Sequence, residues 1–528
     1  MINKRLSALS LAILLTGCQT LTGSEEHALN DAATPAEVAQ DSAELAPGNN
    51  NDEQEAQQPV ILPPDDVWER ISRQMTLTVP DNTRVDRFRK WYKANPRHLE
   101  IVSERADPYL YLIVEEVERR GLPIELALLP IVESSFDAFA YSHGAAAGLW
   151  QFTSPMGRYF GLQQNWWYDG RRDVAASTRA AMDMMEYLYN KLDHNWLYAL
   201  AAYNTGEGRV FRAIKKNKAK GKPTDFWSLD LPKETERYVP QLLAVADVIR
   251  NAEEYGIDLA PIANKPQLQE IDTGSQIDLA LAADMADMSV ADLHRLNPGY
   301  NRWATAPDGP HKLLLPLDKA DGFINALADT GSTERVNWLR YEVKNGDSLG
   351  VIAKRYHTRI GIIQSVNNLD GNMIRIGQHL LIPVAAKDPE LYPFSADQRL
   401  ARKQSKKRAN FKLEHVVKPG DSLWTIARAN KVKVSQLASW NSMAPSDTIR
   451  PGQKLVVWVN RISKKQDKTS VMRQVSYKVK SGDSLARIAK KFNVTVADLV
   501  RWNQLDSQKY LQPGQGLTLY VDVTKIST

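Results

Sequence analysis

Glu133 is the side chain that the sequence places best for acid chemistry, because it ends an apolar run. The residues before it, Leu128-Leu129-Pro130-Ile131-Val132, carry no charge. Apolar surroundings disfavour the charged form of a carboxyl group and raise its pKa toward the value that a general acid needs. A glutamate at a helix end can also be purely structural, so its role depends on the motifs around it.

Five short motifs follow one another through the segment that contains Glu133. They are Glu133-Ser134-Ser135-Phe136, Tyr141-Ser142-His143-Gly144, Ala147-Gly148-Leu149-Trp150-Gln151-Phe152, Ala202-Tyr203-Asn204-Thr205-Gly206 and Glu234-Thr235-Glu236-Arg237-Tyr238-Val239. Together they resemble the family 1 lytic transglycosylases, which implies a mainly α-helical, goose-type-lysozyme-like catalytic domain at residues 67–261. The residue pattern itself predicts a helix at 109–120 that stops at Gly121, and another at 124–136 that Pro123 opens.

The resemblance implies that Glu133 is the only catalytic acid and base. It would protonate the oxygen of the β-1,4 bond between N-acetylmuramic acid and N-acetylglucosamine in peptidoglycan. It would then take a proton from the C6 hydroxyl of the muramyl sugar as that hydroxyl attacks C1. The product would carry a 1,6-anhydromuramyl end, and no water would be consumed.

Six motif residues would bind substrate by the same resemblance, unless they serve as caps, turns or core aromatics. They are Ser142, Gly148, Gln151, Tyr203, Asn204 and Tyr238. Ser142 would form a hydrogen bond near the reacting sugar, and Gly144 and Gly148 would let the main chain approach the glycan. Tyr238 would lie beside Glu133 and orient it. Trp150 stands where the family usually has methionine, and its larger ring is expected to reshape a subsite.

A second catalytic carboxylate would change the reaction. Two-carboxylate glycosidases hold a second acid opposite the first, whereas substrate-assisted chemistry needs only a single carboxylate. Asp137 would share a face with Glu133 if the helix continues, although Ser134-Ser135 suggests that it ends. If Asp137 or Asp169 held a nucleophilic water, the protein would be a hydrolytic muramidase. A non-catalytic tether that binds peptidoglycan is the other alternative.

One short sequence recurs three times in the last third of the chain: Gly346-Asp347-Ser348-Leu349, Gly420-Asp421-Ser422-Leu423 and Gly482-Asp483-Ser484-Leu485. Each copy is followed about 21 residues later by an asparagine, at Asn367, Asn441 and Asn503. A strand pattern precedes each copy and a Gly-Gln turn leads to a closing strand. Fixed spacing indicates one small β-α-α-β unit of about 45 residues that has been copied.

The repeats resemble the LysM domain, a β-α-α-β module that binds N-acetylglucosamine-containing glycans. The resemblance implies three glycan contacts in each copy: Asp347, Ser348 and Ile374; Asp421, Ser422 and Ile449; Asp483, Ser484 and Leu511. Turn and cap chemistry is the alternative explanation for the aspartates and serines. Residues 289–297 match residues 495–503 closely, but Gln276-Ile277 replaces Gly-Asp. We therefore expect a degenerate LysM-like module at residues 262–330, without assigned glycan binding.

The first residues of the chain indicate export. Lys4-Arg5 precedes an apolar run at residues 6–15, which is too short to span a membrane and is typical of a signal peptide. Leu15-Thr16-Gly17-Cys18 resembles the bacterial lipobox, which implies a lipidated Cys18 and, with Gln19 after it, an outer-membrane lipoprotein facing the periplasm. Cys18 is the only cysteine, so intramolecular disulfides and cysteine-based metal sites are excluded.

Charge is distributed unevenly. Residues 19–60 hold nine acidic residues and no Lys or Arg, whereas residues 401–528 hold 25 basic and eight acidic residues. A basic surface attracts an acidic polymer such as peptidoglycan with its stem carboxylates, although ordinary solvated surface explains it equally simply. Nucleic acid is not an expected partner, because no nucleic-acid motif accompanies the basic stretch. No metal, nucleotide or redox motif is apparent, so we expect no metal and no cofactor. We also expect a monomeric chain.

These patterns divide the 528 residues into nine segments, whose names are kept below. They are the signal peptide (1–17), the acidic tether (18–66), the catalytic domain (67–261), the degenerate module (262–330), LysM 1 (340–384), a linker (385–412), LysM 2 (413–458), a basic linker (459–474) and LysM 3 (475–521).

Overall fold

The computed structural model describes residues 64–356, 358–460, 470–503, 505 and 511–522. The signal peptide, Cys18, most of the acidic tether and residues 461–469 of the basic linker lie outside these residues, so their assignments stay predictions. Within the described ranges, no helix combines the length and hydropathy needed to span a bilayer.

The catalytic domain is helical, as the resemblance implied. Its helices are α1 (Val67–Gln74), α2 (Thr83–Ala94), α3 (Pro96–Ala106), α4 (Leu110–Arg119), α5 (Leu129–Ser134), α6 (Ser154–Tyr159), α7 (Val174–Lys191), α8 (Trp196–Thr205), α9 (Glu207–Lys218), α10 (Thr235–Arg250) and α11 (Ala252–Tyr255), with short 3-10 turns at Ile124–Leu128 and Phe226–Ser228. Helix α10 is buried along most of its length and packs on α2 and α8. The predicted helix at 109–120 is α4, which stops before the left-handed Gly121.

The predicted helix at 124–136 is wrong in its extent. A 3-10 turn leads into the short helix α5, which ends at Ser134 because Ser135 and Phe136 are left-handed, with φ of 52° and 56°. Amides of both residues donate back to α5 carbonyls and close its last turn. Glu133 therefore lies in the final turn of a short helix, and Asp137 does not continue its face.

All four repeats fold as β-α-α-β units. The degenerate module contains β1 (Leu268–Asp272), α12 (Leu279–Met285), α13 (Val290–Leu296) and β2 (Lys312–Pro316), followed by α14 (Leu317–Asp329), and LysM 1 contains β3 (Asn337–Glu342), α15 (Leu349–Arg355), α16 (Ile360–Val366) and β4 (His379–Val384). LysM 2 contains β5 (Phe411–Val416), α18 (Leu423–Ala429), α19 (Val434–Trp440) and β6 (Lys454–Val459). LysM 3 contains β7 (Ser470–Lys478), α20 (Leu485–Phe492), α21 (Val496–Asn503) and β8 (Gly516–Asp522). Each unit pairs its two strands antiparallel. The expected fold class, a mainly α-helical domain followed by small α+β modules, is confirmed.

The recurring asparagine is a structural clamp. In LysM 2, Asn441 Nδ2 donates to the carbonyls of Leu437 and Val456, both at 2.8 Å, and its Oδ1 accepts from the Val456 amide at 2.7 Å. The same three bonds tie the second helix to the closing strand at Asn297, Asn367 and Asn503. The asparagine recurs because a short helix and an edge strand need a side chain that both donates and accepts.

The linker at 385–412 is more structured than the sequence suggested. It contains a 3-10 turn at Pro389–Leu391 and helix α17 (Ala396–Ser405), and its last two residues begin β5. Tyr392 is buried in the core of the degenerate module, where its hydroxyl donates to the Asp278 carboxylate at 2.8 Å. This linker therefore packs against a neighbouring domain.

The basic linker at 459–474 also extends less far than expected. Strand β7 already begins at Ser470 and pairs with β5 from Glu414↔Ser470 to Lys412↔Met472. LysM 2 and LysM 3 consequently share one four-stranded sheet, in the order β6-β5-β7-β8. Pairing of this kind covers a strand edge that each isolated two-stranded unit would leave open.

Candidate active site

Glu133 meets Tyr238 where helices α5 and α10 come together. The Tyr238 hydroxyl donates to Glu133 Oε1 at 2.6 Å. The pKa of Glu133 is raised to about 7, mainly by burial. The hydrogen bond from Tyr238 lowers this pKa, and the negative charge of Glu234 raises it further. Burial and the nearby Glu133 raise the pKa of Tyr238 well above its ordinary value, so its hydroxyl keeps the proton that it donates. A carboxyl group with a pKa near 7 can both give and take a proton at neutral pH.

The carboxyl group opens into a cleft of about 640 Å³. The lining residues are Val132, Glu133, Ser142, Gly144, Ala146, Gln151, Thr153, Tyr203, Asn204, Lys233, Glu234, Arg237, Tyr238 and Gln241. Five of the six residues predicted to bind substrate are among them, and Gly148 is the exception. The fold thus brings motifs that are about 100 residues apart to one surface.

Short hydrogen bonds fix the walls of the cleft. Tyr203 OH donates to the carbonyl of Trp150 at 2.8 Å, and Thr235 Oγ1 donates to Asn204 Oδ1 at 2.8 Å. In the loop that carries Ser142, the Ala146 amide donates to Ser142 Oγ at 3.1 Å and the Ser142 amide donates to the Ala146 carbonyl at 2.9 Å. These bonds leave the cleft-facing polar atoms in set positions before any substrate binds.

Gly148 is not among the residues that line the cleft. It is buried with φ of 81°, and a Cβ atom there would lie 1.9 Å from the carbonyl oxygen of Arg171. Close approach of the protein's own main chain therefore explains this glycine, whereas the sequence assigned it to the glycan. Gly144 fits the original expectation better, since it is exposed and lines the cleft.

Trp150 does not enter the cleft, contrary to the expectation that it reshapes a subsite. Its side chain is fully buried, and its Nε1 donates to Thr178 Oγ1 on α7 at 3.0 Å. Its carbonyl oxygen accepts the hydrogen bond from the cleft residue Tyr203. The indole ring is part of the core.

Neither aspartate considered as a second catalytic group lines this cleft. Asp137 accepts from the Phe139 amide at 2.9 Å and so caps the turn after α5. Asp169 is buried and accepts from Arg171 Nε at 2.8 Å and Arg172 Nη1 at 2.6 Å. Burial alone would raise the pKa of Asp169, but these two arginines hold it below its ordinary value. Both carboxylates are occupied by structural bonds.

Four cleft residues on or next to helix α10 were missed by the sequence interpretation. Lys233, Glu234, Arg237 and Gln241 line the cleft together with Tyr238. Their spacing is that of one helix face, and Tyr238 lies on the same face. That periodicity was the signal that could have identified them.

The nine residues predicted to bind glycan in the LysM modules have internal contacts. Asp347 Oδ2 accepts from Tyr341 OH at 2.6 Å, and Asp421 and Asp483 make equivalent bonds to His415 and Tyr477. Ser348, Ser422 and Ser484 cap the first helix of each module. Ile374, Ile449 and Leu511 are half-buried against the module cores. Glycan contact by these residues stays a prediction.

The carboxyl group of Glu133 is expected to titrate near pH 7. Replacing Tyr238 with phenylalanine removes a hydrogen bond that stabilises the charged form, so the pKa of Glu133 should rise further. A carbon-13 NMR titration of labelled glutamate side chains, with Glu133→Gln to assign the signal, measures both values. An unchanged or lower pKa in Tyr238→Phe would contradict the role given to this bond.

Comparison with known proteins agrees with the geometry. Residues 111–226 match the family described as "Transglycosylase SLT domain", residues 267–332 match "Lytic transglycosylase MltD, LysM-like domain", and residues 341–383, 415–458 and 477–519 match "LysM domain". The chain is 36% identical over 467 residues to membrane-bound lytic murein transglycosylase D of Escherichia coli, covering 86% of this chain and 98% of that protein.

Other similarities cover less of the chain. A cell wall-binding protein of Bacillus subtilis is 35% identical over 115 residues, which is 22% of this chain and 36% of that protein. The solved 70 kDa soluble lytic transglycosylase of Escherichia coli is 18% identical, with a TM-score of 0.25, over 33% of this chain and 32% of that chain.

The helical domain, its carboxylate cleft and the LysM modules define a lytic transglycosylase of the SLT family with peptidoglycan-binding modules. Because the similarity extends over nearly the whole length of the relative, the chain belongs to the family of membrane-bound lytic murein transglycosylase D.

Proposed function

We propose that this enzyme cleaves the β-1,4 bond between N-acetylmuramic acid and N-acetylglucosamine and forms a 1,6-anhydromuramyl end, with Glu133 as the single acid and base. The observation that supports this most directly is the Glu133 carboxyl group, which has a pKa of about 7 and a hydrogen bond from Tyr238. One group serves both proton transfers most efficiently when its pKa lies near the working pH.

The reaction starts with protonated Glu133. Its proton goes to the glycosidic oxygen, which leaves with the N-acetylglucosamine part as an alcohol while the C1–O bond breaks. The C6 hydroxyl of the muramyl sugar forms the new bond to C1, and its proton returns to the Glu133 carboxylate. Tyr238 keeps its hydrogen bond to Glu133 and stabilises the carboxylate between the two transfers.

The LysM modules would hold the enzyme on its insoluble substrate. Several weak sites on one chain act through effective concentration, so no single module needs tight binding. We further propose that residues 1–17 are a lipoprotein signal peptide and that a lipidated Cys18 anchors a monomeric chain in the outer membrane, facing the periplasm. The name of the Escherichia coli relative, which is called membrane-bound, supports this location.

The mass of the new ends on glycan strands released from purified sacculi tests the reaction. The proposal predicts muramyl ends that are one water lighter than hydrolysed ends. Ends of full hydrolysed mass would show a muramidase, for which Glu234 in the same cleft would be the second carboxylate to test. Intact sacculi after long incubation would show a tether without catalytic activity.

A further inference from the structure

LysM 2 contacts the loop that carries Ser142. The hydroxyl of Tyr141 donates to Asp447 Oδ2 at 3.0 Å, across 306 residues of chain. Asp447 lies in the loop between α19 and β6, and the same oxygen accepts from the Ala444 amide at 2.8 Å, which fixes the carboxylate in place. Tyr141 directly precedes Ser142, so a module that the sequence presents as a distant anchor reaches the wall of the cleft.

The segment before LysM 2 makes a second contact with the same region. Phe394 stacks on Phe139 with ring centroids 5.0 Å apart and an interplanar angle of 14°. The guanidinium of Arg399, on α17, lies 5.0 Å from the Phe139 ring centroid. The same guanidinium donates a hydrogen bond to Asn301 Oδ1 at 3.1 Å. The linker thus connects the catalytic domain to the degenerate module through an aromatic and cationic stack.

The loop is also held from within the catalytic domain. Arg171 Nη1 donates to the carbonyl of Ala145 at 2.8 Å, and the guanidinium of Arg172 lies 5.7 Å from the ring centroid of Tyr141. Asp169 binds both arginines. The loop at 141–146 is therefore held both by this buried ion cluster and by LysM 2.

We propose that LysM 2 and the α17 segment position the cleft loop at 141–146, so that part of the glycan-binding array is a structural element of the active site. This inference rests on the proposed function, because it concerns the rate of that reaction. Tyr141 and Asp447 are positioning residues, since they act through Ser142 and the loop. The contact also means that removing the modules would slow cleavage of short soluble glycans, in addition to weakening retention on sacculi.

The test uses the full chain and measures kcat and KM on a short soluble glycan beside retention on sacculi. Tyr141→Phe removes one oxygen atom, and loss of that hydrogen bond should lower kcat about fivefold while retention stays unchanged. Asp447→Ala should have a similar effect, Asp447→Asn should keep most of the rate because its amide oxygen still accepts, and Tyr141→Phe with Asp447→Ala should be no worse than either alone.

Tyr477→Phe is the matched control. It removes an equivalent tyrosine-to-aspartate bond, to Asp483, inside LysM 3, which pairs with LysM 2 through β7. It should leave kcat on the soluble glycan unchanged. A wild-type kcat in Tyr141→Phe, or an equal loss in Tyr477→Phe, would overturn the positioning role. A wild-type chain that cleaves nothing would instead overturn the proposed function.

Discussion

Glu133→Gln is expected to lower the release of glycan fragments by at least about a thousandfold, because a neutral amide can neither give nor take the required proton. The substitution keeps the size of the side chain and an acceptor for the Tyr238 hydroxyl. Sacculus digestion by wild type and variant at equal concentration measures the effect. Glu234→Gln is the matched control, since it removes another carboxylate from the same cleft. Glu133→Gln activity within tenfold of wild type would contradict the assignment.

The same variant should be more stable than wild type at high pH. Folding raises the pKa of Glu133 from 4.5 to about 7, so the folded state holds a proton that the unfolded state has lost. Below pH 4.5 the group has no effect on the free energy of unfolding. As the pH rises from 4.5 to 7, the free energy of unfolding of the wild type falls by up to about 3 kcal/mol, whereas that of the variant does not fall for this reason. Urea unfolding at pH 4 and pH 8 should therefore separate the two proteins only at the higher pH.

Gly148→Ala is expected to destabilise the catalytic domain by more than about 3 kcal/mol. Its φ of 81° already disfavours any side chain, and the added Cβ would lie 1.9 Å from the Arg171 carbonyl oxygen. The clash is with main chain next to the ion cluster, so no flexible side chain can move aside. Thermal unfolding of the full chain, followed through the catalytic-domain transition, measures the change.

Gly144→Ala provides the comparison for Gly148. The nearest atom to a Cβ at Gly144 is Ser142 Oγ at 3.7 Å, an ordinary contact distance, so its stability should change by less than about 1 kcal/mol. Substrate affinity is the property that Gly144→Ala could lower, because this residue lines the cleft. Equal destabilisation by the two substitutions would show that the Arg171 contact does not explain Gly148.

The sequence identified those features that local patterns encode. Apolar residues before Glu133 predicted a perturbed carboxyl group, and the structure places that group in a cleft with five of the six residues named from the motifs. Repeat spacing predicted the β-α-α-β units, because turn glycines and helix caps act within a few residues. The clamp asparagines recur at a fixed distance for the same reason.

Features that depend on contacts between distant residues could not be predicted from local sequence patterns. The end of α5 depends on left-handed residues at 135 and 136, neither of which is glycine. The need for Gly148 comes from a carbonyl group that is 23 residues away, and the linker at 385–412 is ordered by packing on Phe139 and Asp278. Such contacts are set by tertiary packing, which overrides local propensity.

Cleavage of sacculi in oxygen-18 water is the most direct test of the proposal that Glu133 works without a water nucleophile. The new muramyl ends should contain no oxygen-18, because the oxygen that bonds to C1 comes from the C6 hydroxyl of the same sugar. One atom of oxygen-18 in every new muramyl end would show attack by water and would contradict the mechanism proposed for Glu133.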